Sequence, residues 1–487
     1  MNIGSNYVNG LWQNSNPVMD VINPSNEKVY FKIPITQKSE IIDTVNVAKS
    51  AFKTWSKESR VRRSDYFDAL AQLIKRDHNK LRDAISIETG KNLNESHAEV
   101  IEALHMCQYA ASSGRQSYGE VLASELPTKD AYVIRKPRGV VAIISPWNFP
   151  LAIGSFWCAA PALVEGNTVI HKPSELTPMV NQMITELYHE AGFPPGVFNL
   201  IHGDGQTTGH ELVRADVDVI LFTGSAEVGK NIKLHCVESE YPKTCSMECG
   251  SKSSVMVFED GNLNLAVDVC IASAFKLTGQ RCVSASRILI QKSVFDKFES
   301  MFIDKVNDLT FGDPFDTPAP MFGPLISKDH KQRVSNYNSV AEADFGLYPT
   351  SHIVPSCGYF LAPCVYKAEW GDYETLKNEV FGPHVALIPF DDIDDAIKIY
   401  NDTNYGLALG IVSDDYRKHK RVESECDTGM LYINGGSIAA ESHLPFSSWK
   451  KSGWGTSAAG TYKAVTHTMA VTVNYEEGKM QFAQGMK

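Results

Sequence analysis

The sequence predicts an α/β protein with mostly parallel sheets that are covered by helices on both faces. Short β-branched segments bounded by Gly, Pro or polar residues alternate along the chain with amphipathic helical patterns. Strands that alternate with helices favour parallel sheets, because each crossover helix covers one face of the sheet. The composition, with 43% hydrophobic and 21% charged residues over 487 positions, excludes a disordered chain, a collagen and a coiled coil.

The elements of this fold can be placed in chain order. Length, β-branching and flanking breakers predict buried strands at 140–144, 168–171, 217–222, 254–258 and 287–290. Apolar periodicity predicts helices at 38–55, 63–80 and 181–191, the last after a start signal that ends in Pro178. The β-branched segments 132–134 and 471–473 have the character of paired strands.

Charge and cysteine usage exclude several classes of protein. There are 46 Lys and Arg residues against 57 Asp and Glu, a net charge of −11, which argues against nucleic acid or an anionic membrane as partner. The sequence contains no apolar run of about 18 residues, so no membrane span is expected. The first residues show no basic segment followed by an apolar one, so a cytoplasmic location is expected. Ten scattered cysteines without a C-x-x-C pair favour reduced, mostly buried thiols and no metal site.

Three turns at predicted strand ends could bind a dinucleotide. The strand 140–144 leads into Ser-Pro-Trp-Asn-Phe-Pro, where the amide of Asn148 could face a developing negative charge or simply satisfy its own turn. Gly224 and Ser225 precede a helix, whose N-terminus suits a phosphate, although such turns are often only helix caps. Lys172 and Glu175 could hold ribose hydroxyls or form a solvated loop.

Two further segments could carry the chemistry. Cys282 stands beside Arg281 in a polar turn after a glycine, where a lowered thiol pKa would make it a nucleophile. Glu248 could activate water as a general base. Taken singly, Cys282 could equally be a small core residue and Glu248 a surface charge. In Asn-Glu-Val-Phe-Gly-Pro, Glu379 could hold a ligand with a flat ring, and Phe381 could form one wall of its binding site.

Together these segments resemble the aldehyde dehydrogenase superfamily. Seven motifs occur in the family's order: SPWNFP, KPSE, FTGSAEVGK, MECGSK, GQRC, NEVFGP and LPFSSWKKSGWG. The resemblance covers nearly the whole chain. It departs from the usual pattern where Cys249 replaces a leucine and where Ser251, Ser447 and Ser448 replace glycines.

The resemblance implies a role for each matching residue. Cys282 corresponds to the nucleophile, the Asn148 amide and the Cys282 backbone N–H to an oxyanion hole, and Glu248 to the base that activates water on the thioester. The implied cofactor is NAD, with NADP possible, because the Glu175 carboxylate would repel a 2′-phosphate whereas Lys172 could pair with it. The implied cofactor contacts are Ile144, Pro146, Trp147, Lys172, Glu175, Gly205, Gly224, Ser225, Gly229, Glu379 and Phe381.

The resemblance also suggests a substrate pocket and an architecture. The pocket is expected to be lined by Phe149, Ile153, Phe156, Arg281, Val283 and His443, which favours a small polar aldehyde or semialdehyde. A Rossmann-like NAD(P)-binding domain is expected at 1–118 and 139–249, a catalytic domain at 250–450, and a β arm for oligomerisation at 119–138 and 465–487. The exposed strands of such an arm predict a homodimer or homotetramer.

Three other functions remain open at this point. A coenzyme A-acylating enzyme would lack a base at Glu248. A catalytically altered or structural member of the same fold would not need to retain Asn148, Glu248 and Cys282 together. A thiol hydrolase would require a histidine base close to Cys282 in space.

Overall fold

The computed structural model describes residues 2–456, 466–475 and 478, and it confirms the predicted α/β class. Two large sheets, of eight and six strands, form the body of the protein, and three small sheets accompany them. The α-helices are Lys38–Trp55, Arg60–Arg76, His78–Thr89, Leu93–Ser113, Ala159–Val164, Pro178–Glu190, His210–Arg214, Ala226–Glu238, Leu263–Phe275, Phe295–Asn307, Lys328–Phe345, Glu374–Lys377, Ile393–Asn401 and Tyr416–Glu425. Shorter helical turns of 3-10 or π type occupy Ile153–Cys158, Gly205–Gly209, Lys276–Gly279 and Lys292–Val294.

The eight-stranded sheet contains the first group of predicted strands. Its strands, in spatial order, are Gly453–Trp454, Thr244–Glu248, Val219–Thr223, Val140–Ile144, Thr168–Lys172, Phe198–Leu200, Asn6–Val8 and Leu11–Gln13. The five central strands of this order, from Thr244–Glu248 to Phe198–Leu200, are parallel. Their side chains are almost all buried, because helices cover both faces of the sheet.

The order in which successive strands are added to this sheet reverses next to the strand Val140–Ile144. Successive strands first extend the sheet on one side, and then Val219–Thr223 returns to pair on the other side. The carboxyl ends of Val140–Ile144 and Val219–Thr223 therefore border a topological switch point, which is where open α/β sheets bind their ligands. Two of the three predicted cofactor turns follow these two strands, and the third follows the adjacent strand Thr168–Lys172.

The six-stranded sheet is parallel throughout. Its order is Cys364–Lys367, His384–Phe390, Arg287–Gln291, Ser254–Val257, Ala408–Val412 and Met430–Ile433. Separate apolar clusters lie on its two faces. The turn that carries Cys282 leads directly into the strand Arg287–Gln291 of this sheet.

The small sheets lie at the ends of the chain and at an arm. Asn2–Ile3, Val29–Pro34 and Val18–Ile22 form one sheet, and Tyr405–Gly406 pairs with Trp449–Lys450. The predicted pairing of 132–134 with 471–473 is confirmed, since Thr468–Tyr475 runs antiparallel to Asp130–Pro137 with Val471 opposite Ile134. The strand Glu120–Leu122 completes this three-stranded arm. Parts of the predicted tail, 476–477 and 479–487, lie outside the described residues, as does 465.

Most predicted elements occur with small shifts at their ends. The helix Lys38–Trp55 has the predicted bounds, because Ile41, Val45 and Ala48 bury one face and Glu40 accepts a hydrogen bond from the backbone N–H of Gln37 at 2.7 Å. The predicted helix 63–80 is instead two helices that meet at Asp77. In the described part of the chain, no helix is both long and apolar enough to cross a membrane. The domain boundaries given above stay a prediction.

Candidate active site

Cys282 lies on a backbone turn that the rest of the structure holds in an unusual conformation. Leu277 and Thr278 have φ of 54° and 53°, in the left-handed region. The carboxylate of Glu95 accepts a hydrogen bond from the backbone N–H of Leu277 at 2.7 Å. Gly279 has no room for a side chain, because a Cβ there would lie 2.1 Å from the carbonyl oxygen of Gly382. These constraints fix the turn that presents Cys282, a pattern common at functional sites.

The prediction of a lowered pKa for Cys282 is wrong. Burial, together with the carboxyl groups of Glu379 and Glu248, raises the pKa of the Cys282 thiol to about 12, and Arg281 lowers it too little to offset them. The guanidinium of Arg281 instead lies 3.4 Å from the carboxylate of Glu95. The thiol is therefore protonated at neutral pH and requires a base before it can act as a nucleophile.

Asn148 and Glu248 approach the Cys282 turn from the eight-stranded sheet. The side-chain amide of Asn148 is buried and donates a hydrogen bond to the backbone carbonyl of Gln280 at 3.0 Å. Glu248 ends the strand Thr244–Glu248 and lines the same cavity as Cys282. The structure thus brings the three predicted catalytic residues together from two different sheets.

Ser251 connects Cys282 to Glu379. Its backbone N–H donates to the Glu379 carboxylate at 2.7 Å, and its hydroxyl donates to the backbone carbonyl of Cys282. The serine that replaces a glycine therefore adds a tie to the nucleophile turn. The neighbouring Gly250 is indispensable, because a Cβ there would lie 2.0 Å from a Glu379 carboxylate oxygen. Burial raises the pKa of Glu379 to about 7.

The serines that replace the other two glycines face glycines themselves. A Cβ on Gly429 would lie 1.7 Å from the backbone carbonyl oxygen of Ser447, and a Cβ on Gly453 would lie 1.9 Å from the hydroxyl oxygen of Ser448. Gly429 and Gly453 belong to the segments that pack against this loop. They allow the close approach that glycines within the loop would otherwise allow.

The predicted cofactor residues lie at the carboxyl edge of the eight-stranded sheet. Ile144 is opposite Lys172 in register, and both strands end there. Lys172 is buried, with its ammonium group 3.3 Å from the half-buried carboxylate of Glu175. Pro146 and Trp147 follow Ile144 closely and are half-buried.

The glycines of the predicted cofactor site have different environments. Gly224 follows the strand Val219–Thr223, and the hydroxyl of the exposed Ser225 caps the helix Ala226–Glu238 by accepting from the Val228 N–H. Gly205 is exposed, and a Cβ there would meet only open space. Gly229 faces the sheet rather than the crevice, because a Cβ there would lie 2.8 Å from the sulfur of Cys249. Gly229 therefore serves close helix–sheet packing.

Three aromatic rings form a cluster beside Glu379. The ring centroids of Trp147, Phe381 and His330 lie 5.5 to 6.0 Å from one another. Phe381 has a left-handed φ of 62°, and its backbone carbonyl accepts a hydrogen bond from His330 at 2.7 Å. Burial lowers the pKa of His330 to about 4, so its ring is neutral. Sequence reasoning missed His330, which no motif marks.

A cavity of about 590 Å³ reaches Cys282 and contains most of the predicted substrate residues. Phe149, Ile153, Arg281, Val283 and His443 line it. Phe156 does not, and this prediction is wrong: its side chain is fully buried in the core, where its ring packs near that of Tyr188. Ile153 and Phe156 lie on one helical turn, and only one of these two side chains faces the cavity.

The structure adds residues to this cavity that the motifs did not indicate. The helix Leu93–Ser113 turns one face towards it, and a Trp and a Phe close the opposite side. These added residues are Glu95, Ala98, Glu99, Ile101, Glu102, His105, Trp157 and Phe446. The only sequence signal for the helix was its repeated glutamates, at 95, 99 and 102, within an otherwise apolar stripe. Within the described residues, no group of three His, Cys, Asp or Glu side chains could hold a metal ion.

Comparison with known proteins gives one consistent result. The model of the aldehyde dehydrogenase family matches residues 12–473. Betaine aldehyde dehydrogenase of Bacillus subtilis is 33% identical over 459 residues, 92% of this chain and 93% of that relative. The 2-aminomuconic semialdehyde dehydrogenase of Bos taurus is 32% identical over 485 residues, 96% of this chain and 98% of that relative. The crystal structure of betaine aldehyde dehydrogenase from Staphylococcus aureus in complex with NAD+ has a TM-score of 0.92 at 31% identity, over 99% of this chain and 97% of that one.

Proposed function

The chain belongs to the aldehyde dehydrogenase family, and from this membership we infer that it oxidises a polar aldehyde to the carboxylic acid with NAD+ as the hydride acceptor. The observation that carries the proposal is that Cys282 and Glu248 line one substrate-sized cavity, while the Asn148 amide is hydrogen-bonded to Gln280 in the turn that carries Cys282. The three groups supply a nucleophile, a base and an oxyanion donor, which an acyl-transfer reaction needs.

The dinucleotide fits the crevice at the carboxyl edge of the eight-stranded sheet. This edge offers the N-terminus of the helix Ala226–Glu238 after Gly224 and Ser225, which suits a pyrophosphate. Glu175 lies at the end of a neighbouring strand, where its carboxylate would accept hydrogen bonds from ribose hydroxyls. Glu379 and Phe381 would hold the nicotinamide end. When bound, NAD+ supplies the acceptor for the hydride that leaves the substrate.

Cys282 and Asn148 carry the first half of the reaction. Because the Cys282 thiol is protonated, its proton must first pass to a solvent base, a transfer that does not depend on Glu248. The sulfur then forms a bond to the aldehyde carbon, and the carbonyl oxygen takes up negative charge. The Asn148 amide and the Cys282 backbone N–H would stabilise this oxyanion only as it develops. Loss of hydride from the carbon leaves a thioester on Cys282.

Glu248 carries the second half. It would remove a proton from water as the water oxygen attacks the thioester carbon, and it would return that proton to the Cys282 sulfur as the sulfur leaves. A base in this position favours hydrolysis to the free acid over transfer to coenzyme A. The assembled set of Asn148, Glu248 and Cys282 also favours an active enzyme over a structural member of the fold.

A direct assay tests this proposal. The purified chain is mixed with NAD+ and a panel of about ten aldehydes, and both NADH and the organic product are measured. We expect NADH and one equivalent of carboxylic acid without added coenzyme A. A product that forms only as a thioester in the presence of coenzyme A would contradict the hydrolytic role of Glu248, and no NADH with any aldehyde would contradict the proposal.

We also propose that the chain forms a homodimer or homotetramer through its arm. The strand Glu120–Leu122 lies at one edge of the three-stranded sheet, and Val121 exposes 91% of its surface there. On the other edge, Met469 and Tyr475 are also largely exposed. Exposed edge strands with apolar side chains are usually covered by another chain. A solution mass of one chain at micromolar concentration would overturn this proposal.

A further inference from the structure

Carboxyl groups outnumber cationic side chains on the walls of the substrate cavity. Among the described residues, Arg281 is the one Lys or Arg side chain that lines it, against five carboxyl groups: Glu95, Glu99, Glu102, Glu248 and Glu441. A cleft lined by one sign of charge attracts ligands of the opposite sign, and the low-dielectric walls strengthen the effect. The cavity is thus a poor environment for an anion.

Two of the five carboxylates already have ion-pair and hydrogen-bond partners within the protein. Glu95 faces Arg281 at 3.4 Å and also accepts the Leu277 N–H. Glu99 forms a buried ion pair with Lys91 and accepts the backbone N–H of Leu151 at 2.8 Å. Arg281 likewise has a partner within the protein, Glu95. It is therefore poorly placed to receive the carboxylate of a semialdehyde.

Apart from Glu248, which is assigned to the hydrolysis step, Glu102 and Glu441 remain to act on a substrate. Glu102 forms no salt bridge within the described residues, although Lys91 and Arg281 attract its charge from a distance. Burial and the charge of Glu99 raise the pKa of Glu102 to about 7, so a cation beside it would stabilise its ionised form. Glu441 is exposed at the rim, 3.8 Å from His443.

Aromatic rings complete this part of the cavity. The rings of Trp157 and Phe446 meet edge to face with centroids 5.3 Å apart, and both line the cavity. The indole N–H of Trp157 lies beside the Glu102 carboxyl group without the alignment of a full hydrogen bond. Phe149 already has the Lys91 ammonium over its ring at 4.0 Å. Aromatic faces beside a carboxylate attract ammonium groups.

We propose that the aldehyde substrate carries a positive charge, an ammonium or quaternary ammonium group, and that Glu102 is the residue that selects it. The cation would lie between the Glu102 carboxylate and the Trp157 and Phe446 rings, with the aldehyde carbon directed towards Cys282. This inference rests on the proposed aldehyde oxidation and narrows its polar substrate to one class. It favours cationic over anionic semialdehyde substrates.

The test compares substrates of one shape and different charge. (Trimethylammonio)acetaldehyde is measured against 3,3-dimethylbutanal, in which carbon replaces the quaternary nitrogen, and against the anionic 3-oxopropanoate. Assays run at about pH 8.5, above the raised pKa of Glu102. We expect kcat/KM for the cation to exceed that of its neutral isostere by about tenfold or more, and the anion to be the poorest of the three.

Glu102→Gln should remove most of this preference by raising KM for the cation, so that the ratio of kcat/KM for the cation to kcat/KM for the neutral isostere falls towards one. Asp304→Asn, an equal change of charge at an exposed position on the helix Phe295–Asn307, should leave the preference intact. If Glu102→Gln does not fold, inhibition of the wild type decides: choline should compete with 3,3-dimethylbutanal, and 3,3-dimethylbutanol should not.

The outcomes separate this inference from the function it rests on. Oxidation of 3,3-dimethylbutanal at least as efficient as that of the cation would overturn the charge preference while supporting aldehyde oxidation. The same holds for a clear preference for 3-oxopropanoate. A strong cation preference that survives Glu102→Gln would overturn the role of Glu102. No NADH from any of the three aldehydes would count against the inference and the proposed function together.

Discussion

The backbone N–H of Ser251 donates a hydrogen bond to the carboxylate of Glu379 at 2.7 Å. Through its hydroxyl, the same residue also holds the backbone carbonyl of Cys282. One residue thereby joins the carboxylate expected to hold the cofactor to the turn that carries the nucleophile. A substitution of Ser251, which replaces the family's glycine, should therefore affect both the Glu379 carboxylate and the turn that carries Cys282.

Ser251→Ala should weaken catalysis more than folding. It removes the hydroxyl bonds to the Cys282 carbonyl and to Ser253 while leaving the backbone bond to Glu379. We expect a loss of about 1 kcal/mol in the free energy of unfolding, as for a typical buried hydrogen bond, and a several-fold drop in kcat. Urea unfolding and steady-state kinetics measure both. The control is Ser339→Ala, which removes an exposed hydrogen bond within a helix. Equal changes in stability and kcat for the two variants would show that the bond from Ser251 to the Cys282 carbonyl has no function.

Cys282→Ala should abolish aldehyde oxidation and leave NAD+ binding intact, because hydride cannot leave before a covalent adduct forms on the sulfur. NADH formation and calorimetric NAD+ titration measure the two effects. The exposed Cys357 provides the matched control, since Cys357→Ala should retain full activity. Residual turnover above a few per cent in Cys282→Ala would show that another thiol is the nucleophile, and Cys249 would be the first to test.

Glu248→Gln should separate the two half-reactions. A burst of NADH of about one equivalent per active site is expected, after which hydrolysis stalls because no base activates the water. The mass of the intact protein should then increase by that of the acyl group on Cys282. Normal steady-state turnover in this variant would remove Glu248 from the mechanism.

Alkylation of Cys282 by iodoacetamide, without cofactor, should accelerate across the alkaline range. A thiol whose pKa is raised to about 12 is protonated at neutral pH, so its thiolate fraction grows about tenfold for each unit of pH below that value. Glu248→Gln should increase the rate at a fixed pH, because loss of a negative charge lowers the pKa of the thiol. Peptide-resolved mass spectrometry follows this one cysteine. A rate that is flat above neutral pH would show a thiolate already formed.

Glu175→Ser should shift cofactor preference from NAD towards NADP by about tenfold in the ratio of kcat/KM values, equivalent to about 1.4 kcal/mol. The carboxylate would otherwise accept hydrogen bonds from the ribose and repel a 2′-phosphate, while the neighbouring Lys172 could pair with that phosphate. Kinetics with both cofactors measure the ratio. An unchanged ratio, or a wild type that already prefers NADP, would assign the choice to another residue.

Sequence reasoning succeeds where the structural cause is local. The strand Val140–Ile144 and the helix Lys38–Trp55 are predicted correctly, because burial on both faces and a capped apolar stripe each leave a pattern in adjacent residues. The catalytic trio follows from motifs rather than from spacing. Asn148 and Cys282 lie more than a hundred positions apart, and only the fold brings the Asn148 amide to the turn that carries Cys282.

The failures concern what surrounds a residue in space. The raised pKa of Cys282 depends on Glu248 and Glu379, which are distant in sequence, whereas the adjacent Arg281 is drawn away by Glu95. Phe156 is expected in the cavity because its neighbours on the chain lie there, but a helical turn directs it into the core. Glu102 escapes prediction for the same reason: its importance arises from Trp157 and the cavity, not from any motif.

The pairing of Thr468–Tyr475 with Asp130–Pro137 has a consequence for biosynthesis. These strands are more than three hundred residues apart, and Gly453–Trp454 likewise reaches back to Thr244–Glu248. A chain emerging from the ribosome can form much of both large sheets before its last strands are available, whereas contacts of such long range form slowly. The strand Asp130–Pro137 must then keep one unpaired edge until Thr468–Tyr475 has emerged. Because an unpaired edge strand is a template for another chain, the arm of a growing chain is open to pairing with its neighbours until this last strand of the arm arrives.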